Sequence, residues 1–196
     1  MPLRERQAAV ARDAILEALV SMLEREDLED ISMEVLAERA GTSRRTLYRY
    51  FPSRAELLSA AGDWIYEHRL RVPTEIREPA EIPDSFLQAS AEIARHPRLA
   101  RVLLNTEPGR LIHNSRRAGR AQAIRDALAK IAGHLPDDQA AETIAVITHL
   151  CSSRSWIALE DESDLSAAGA RAAVAWALRA LITELQHQHD TATSQS

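Results

Sequence analysis

Residues 39–58 read RAGTSRRTLYRYFPSRAELL, and the fold follows from how this stretch is punctuated. Just upstream, Ser32 is placed to start a helix whose apolar positions are Val35, Leu36 and Ala40. Gly41 ends that helix, because glycine takes the left-handed conformation at least cost. Ser43 then caps a second short helix, in which Leu47 and Phe51 stand four residues apart and turn back toward the first. Two helices joined by three or four residues, with glycine in the turn, make a helix-turn-helix. The polar face of the second helix carries Arg44, Arg45, Thr46, Tyr48, Arg49 and Tyr50, with Arg54 just beyond. From Arg39 to Ala55 there are five arginines and no acidic residue, in a chain of formal charge -5. A local reversal of sign of this kind is the footprint of a phosphate-facing surface.

Working outward, residues 1–6 read as a loose basic arm. Between Gln7 and Arg25, Ala11, Ile15, Leu19 and Leu23 recur four apart, and Val10, Leu16 and Val20 widen the stripe. That pattern predicts an amphipathic helix packed on the helix-turn-helix. EDLED at 26–30 is an acidic turn that Leu28 and Ile31 would pin to the small core. On the other side, Pro52 ends the second helix, and Ser53 caps a longer one with Leu57, Leu58, Ala61, Ile65 and Leu70 on its apolar side. Trp64 and Tyr66 lie on that helix, and Trp64 reads as a core residue.

The run from Ile31 to Leu58, ISMEVLAERAGTSRRTLYRYFPSRAELL, resembles the DNA-binding domain of the TetR family of one-component bacterial regulators. The resemblance covers about Ala8 to Trp64. It combines an amphipathic helix, the AG turn and the LYRYF–P–S–basic–LL run in that order. The family usually has Gly near Asp27, Val near Thr42 and Lys at Arg54. Asp tolerates the left-handed conformation, Thr is close to Val in size, and Arg keeps the charge. The resemblance implies a DNA-binding transcriptional regulator. It is expected to act as a repressor, to bind a pseudo-palindromic operator as a homodimer, and to be released by a small-molecule effector.

Composition agrees with that architecture and limits others. Aromatic content is 4% in 196 residues, so the core must come from Ala, Leu, Ile and Val, which favours helices. The predicted fold class is all-α: an N-terminal three-helix helix-turn-helix domain and a C-terminal helical domain for ligand binding and dimerisation. The expected divisions are 1–54, a linking helix at 55–72, an effector and dimerisation domain at 73–188, and a disordered tail at 189–196. Residues 1–70 hold ten arginines and thirteen acids, so placement rather than total charge carries the nucleic-acid reading. A single cysteine, the lack of an apolar run of about 20 residues and the lack of a signal peptide predict a cytoplasmic protein.

Beyond the proline-rich boundary RVPTEIREPAEIPDS, only helical patterning continues. Helices are expected at Phe86–Arg95, Leu99–Asn105 and Arg110–Leu135, then one from Pro136 to about Leu159, and a last one capped by Ser166 and reaching about Gln186. The last two carry stripes of small and apolar residues. The resemblance assigns these two helices to a four-helix dimer interface; an ordinary helical core explains them equally well.

An arginine at the start of a recognition helix can bond bidentately to guanine, so Arg44 and Arg45 are the leading candidates for base contact. Thr46 and Arg49 come second. Ser32, Ser43, Tyr48, Tyr50 and Arg54 are expected at phosphates, and Thr42 completes the DNA-facing set. Effector candidates are Phe86, Leu103, Leu104, Ile112, His113, Ile147, Cys151 and Trp156, each of which also has a plain core reading. No convergent catalytic set, glycine-rich phosphate loop or metal-ligand spacing is present, so neither enzyme, cofactor nor metal is expected. His149 and Cys151 are two apart and face different ways on a helix; a redox-sensing role for Cys151 stays open beside its reading as a small hydrophobe. Two other classes remain as alternatives: an architectural DNA binder without an effector, and a helical carrier or enzyme that keeps the motif as scaffold.

Overall fold

The computed structural model describes residues 3–25, 32–70, 75–105 and 107–195, with side chains throughout except at residues 3, 4 and 105–117. The described residues form ten α-helices and no strand. They fall into two compact units, residues 1–70 with 96–116 and residues 71–95 with 117–196.

In the first unit α1 (Leu3–Leu23) packs on α2 (Met33–Arg39), α4 (Arg54–Ile65) and α6 (Pro97–Asn105), and α2 packs on α3 (Arg44–Tyr50). The apolar stripe of α1 is buried at Ile15, Leu16, Leu19, Val20, Met22 and Leu23, against Leu36, Leu47, Phe51, Leu58 and Ile65 of the same core. The α1 helix already begins at Leu3, so the expected loose arm is helical from that residue; the acidic turn at 26–30 and its pins Leu28 and Ile31 lie outside the described residues. A π-helical turn, Tyr66–Leu70, follows α4 and buries Leu70. Residues 96–116 cluster with this unit rather than with the C-terminal domain to which the sequence boundary at 73 assigns them. The α6 helix buries Leu99, Ala100, Leu103 and Leu104, and His96 faces Glu24 at 3.5 Å, so its partners are on α1.

The second unit is built on α10 (Ala167–Ser194), which packs against α5 (Ile82–Ala94), α8 (Asp137–Leu150) and α9 (Ser153–Glu162). Residues 117–132 of α7 (Glu107–Ala132) belong here and bury Ile124, Ala127, Leu128 and Ile131. Small residues on α10, Ala170 and Ala175, are fully buried and let its neighbours approach closely. A 3₁₀ turn at Pro79–Glu81 leads into α5, which starts four residues before the predicted Phe86. Glu81 accepts from the amides of Arg77 (2.8 Å) and Glu78 (3.2 Å), which holds its carboxyl below the usual range. Lys130 of α7 donates to the Arg77 carbonyl (2.8 Å) and to the Glu78 carboxylate (2.7 Å).

Two expectations in this half are corrected. The single helix predicted from Pro136 to Leu159 is two, because Ser152 is extended (φ -82°, ψ 153°). Ser155 Oγ donates to the carbonyls of Leu150 (2.6 Å) and Ser152 (2.8 Å), the local competition by which serine interrupts helices. The predicted disordered tail at 189–196 is helical to Ser194. Side-chain pairs four apart, Gln186 with Asp190 and Gln188 with Glu184 (each 2.7 Å), support it. His189 also lies with its ring centroid 5.8 Å from that of His134.

Candidate nucleic-acid interface

The turn between α2 and α3 is built by hydrogen bonds that leave little freedom. Gly41 is left-handed (φ 63°); its amide donates to Glu38 O (3.0 Å), and that of Thr42 donates to Ala37 O (2.9 Å). This is the Schellman pattern that closes a helix C-terminus. Ser43 then caps α3 by accepting from the Thr46 amide at 3.1 Å, and its hydroxyl meets that of Thr46 at 3.0 Å. Ser32 does the same for α2, accepting from the Val35 amide at 3.2 Å, and Ser53 for α4, accepting from Glu56 at 3.1 Å. A capping hydroxyl accepts through a lone pair and keeps its O–H, so Ser32 remains able to donate outward, and Ser43 does when Thr46 is the donor of their shared bond.

Leu47 is fully buried and anchors one side of α3, while Arg44, Arg45, Tyr48 and Arg49 are exposed on the other. Thr42, Thr46 and Tyr50 are half-buried at the edges of that face, and Arg54 is exposed two residues beyond Pro52, at the start of α4. The arginines differ in circumstance. Arg44 is paired with Glu34 of α2 at 3.0 Å. Arg49 donates to the Tyr50 hydroxyl (3.3 Å), and its guanidinium lies 4.9 Å from that ring's centroid. Arg45 has no side-chain partner among the described residues. The sequence reading missed the Glu34 contact, although an acid at the second position of α2, facing a basic face ten residues on, was its available signal.

Comparison with known proteins agrees with this geometry. The family profile described as bacterial regulatory proteins, tetR family, matches residues 15–61. An uncharacterized HTH-type transcriptional regulator of Mycobacterium tuberculosis, Rv1255c, is 32% identical over 145 residues, which is 69% of this chain and 69% of that one. The chain belongs to the TetR family. It is a DNA-binding transcriptional regulator, and the matched segment contains the whole helix-turn-helix just described. Two further relatives match over shorter stretches. The HTH-type transcriptional repressor DrrR1 of Streptomyces coeruleorubidus is 33% identical over 99 residues, 50% of this chain and only 34% of that protein. The nucleoid occlusion factor SlmA of Shewanella sediminis is 33% identical over 97 residues, 47% of this chain and 49% of that protein. No solved structure matches.

The effector candidates are not brought together as one set. Leu103 and Leu104 are buried in the first unit, whereas Phe86, Ile147 and Trp156 are buried, and Cys151 largely so, in the second. The side chains of Ile112 and His113 lie outside the described ones. Burial pushes the Cys151 thiol up to about 12, against a smaller opposing effect of the Arg120 charge. A thiol so held is biased toward its protonated, less nucleophilic form. Trp176 is a further residue without a signal in the sequence: it lies on α10 with 70% of its surface exposed, Leu181 of the same helix is exposed, and Val146 is exposed on α8. An alanine-rich helical pattern gave no reason to single out one outward indole.

Proposed function

We propose that this regulator represses transcription as a homodimer on a pseudo-palindromic operator and is released from it by a small-molecule effector. The observation that carries the DNA-binding part of this reading is the cationic, exposed face of α3 seated on buried Leu47. Arg44 and Arg45, at the start of that helix, are assigned to base edges. Thr46 and Arg49 support them. Ser32, Thr42, Ser43, Tyr48, Tyr50 and Arg54 are assigned to the backbone and its surroundings. Two recognition helices would enter successive major grooves about 34–36 Å apart, or more widely if the dimer core holds them so.

Dimerisation is supported by the apolar surface left on α8 and α10, where Val146, Trp176 and Leu181 are exposed among alanines. Isolated apolar residues at a surface are ordinary, but a tryptophan with 70% exposure is the kind of anchor that interfaces use. Repression is supported by the name of the DrrR1 relative. An effector acts by preferring one conformation, so release is a difference in its affinity for two states. A cytoplasmic location goes with this function.

The test is fluorescence anisotropy across a salt series, with DNA flanking the protein's own gene against scrambled DNA of equal length. A preference of roughly a thousand-fold supports sequence-specific regulation. The absence of binding to either DNA at low salt would count against it. A second reading is an architectural DNA binder without an effector; two relatives are named nucleoid occlusion factors. Equal, salt-sensitive binding to both DNAs is the outcome that reading expects.

A further inference from the structure

Two histidines from distant parts of the chain meet in the second unit. His134 stands in the turn that ends α7 and His189 on α10, with more than fifty residues between them. Their ring centroids are 5.8 Å apart, and the ring planes are inclined by 57°. His134 Nδ1 lies 3.0 Å from the Ile131 carbonyl oxygen. A carbonyl oxygen only accepts, so that nitrogen carries the proton and donates. In the neutral ring Nε2 is then left with a free lone pair. His134 Nε2 is buried without a hydrogen-bond partner, and so is His189 Nδ1. His189 supplies a second lone pair in the tautomer that protonates its Nε2. No hydrogen bond joins the two nitrogens, and buried polar atoms left without a partner cost free energy.

What satisfies two lone pairs at once is an electron acceptor placed between them. A metal-bound histidine ordinarily donates its other N–H to a backbone carbonyl or a carboxylate, which fixes its tautomer and orientation. His134 has that arrangement in place through Ile131. Two Zn–N bonds of about 2.0–2.1 Å, meeting at a tetrahedral or somewhat wider angle, put the ring centroids roughly 5–6 Å apart, where the observed separation falls. An ion held this way sits between two side chains and needs no enclosed chamber. Both residues are half-buried, so it comes from the solvent side.

We propose that His134 Nε2 and His189 Nδ1 bind one Zn²⁺ ion, which clamps the turn after α7 to the C-terminal part of α10. Imidazole nitrogen suits zinc, whereas hard ions such as Mg²⁺ prefer oxygen. Among the described residues no third His, Cys, Asp or Glu joins the pair, and the remaining coordination positions go to water, as in open zinc sites. Motif spacing does not reveal such a pair, because no short segment holds both residues. The neighbour that spacing would choose, His187, is exposed two residues before His189. The inference stands apart from DNA binding and from any organic effector.

Zn²⁺ alone is the probe, titrated calorimetrically into the untagged full chain without DNA, with Mg²⁺ as a separate arm. One Zn²⁺ per chain is expected, with no saturable heat from Mg²⁺. His134→Ala and His189→Ala should each weaken Zn²⁺ binding by about tenfold or more, whereas His187→Ala should leave it unchanged. A ligand of the native state raises the thermal midpoint, so Zn²⁺ should raise it for the parent and for His187→Ala and not for the other two. Circular dichroism verifies that each variant is folded, and His134→Gln takes the place of His134→Ala if the latter is not. No saturable Zn²⁺ heat, Mg²⁺ binding as well as Zn²⁺, or undiminished binding in either folded variant of the pair would overturn the proposal. So would binding that needs His187 and His189 but not His134, the mark of adventitious capture by the end of the chain.

Discussion

Replacing Glu34 by Gln is expected to tighten DNA binding, although Glu34 itself is assigned no contact with DNA. In the free protein Arg44 spends its guanidinium on Glu34 at 3.0 Å, with side chains 61% and 72% exposed. An exposed pair of this kind is worth about 0.2–1 kcal/mol. If Arg44 must give up that partner to reach a base, binding carries the same cost, and removing the carboxylate returns it. The gain is then roughly 1.4-fold to 5-fold in affinity. Removing a negative charge beside the phosphates adds a further, salt-dependent gain. Arg44→Ala separates the two. If Arg44 reads a base, that variant alone loses about 1–3 kcal/mol of discrimination, and Glu34→Gln in its background should keep only the salt-dependent part. Anisotropy titrations of the four proteins at several salt concentrations measure the cycle. Weaker binding by Glu34→Gln alone would refute the reasoning, since it would mean that the carboxylate holds Arg44 in the binding pose. An equal gain with and without Arg44 would refute it as well.

Gly41→Ala should lower stability by about 1–2 kcal/mol in urea denaturation, the cost of a left-handed alanine. Its added methyl would meet nothing within 4 Å, so a much larger loss would contradict the open surroundings of this turn. Trp176→Arg should convert the proposed dimer to a monomer by light scattering with helicity unchanged, because the indole is mostly outside its own chain's core; a persistent dimer would move the interface elsewhere. The Cys151 thiol, raised by burial from 9.0 to about 12, should resist thiolate-selective reagents in the native chain through pH 9. Because its folded value lies above its unfolded one, its contribution to stability is whole below about pH 9 and is lost as the pH rises toward 12. Rapid labelling of the folded chain near neutral pH would contradict the burial.

The helix-turn-helix was legible because its determinants are local. Ser32, Ser43 and Ser53 each cap the helix that follows them, and Gly41 takes the positive φ at which it was placed; none of these depends on distant residues. The four-residue spacing of Leu47 and Phe51 marked two side chains that are both buried. The errors came where tertiary contacts or finely balanced backbone choices decide. The helical spacing runs through Ile147, Cys151 and Ser155 without interruption, yet the helix breaks between them, where the one hydroxyl of Ser155 bonds the carbonyls of Leu150 and Ser152. Leu103 and Leu104 show the same apolar pattern as any core helix, and only packing of α6 on α1 assigns them to the first unit. The tail is polar, the composition expected of a disordered end, yet side-chain pairs four apart hold it helical.

Lys130 has a consequence of its own. The chain contains 23 arginines and this one lysine, and its ammonium joins the end of α7 to the segment entering α5 through the Arg77 carbonyl and the Glu78 carboxylate. Acetylation has therefore a single side-chain target here, and it would remove both the charge and the donor geometry at once. An arginine in the same place would be immune to that reaction. Amid a surface written almost wholly in guanidinium groups, one covalent change at one nitrogen can unfasten two stretches of chain more than fifty residues apart in sequence.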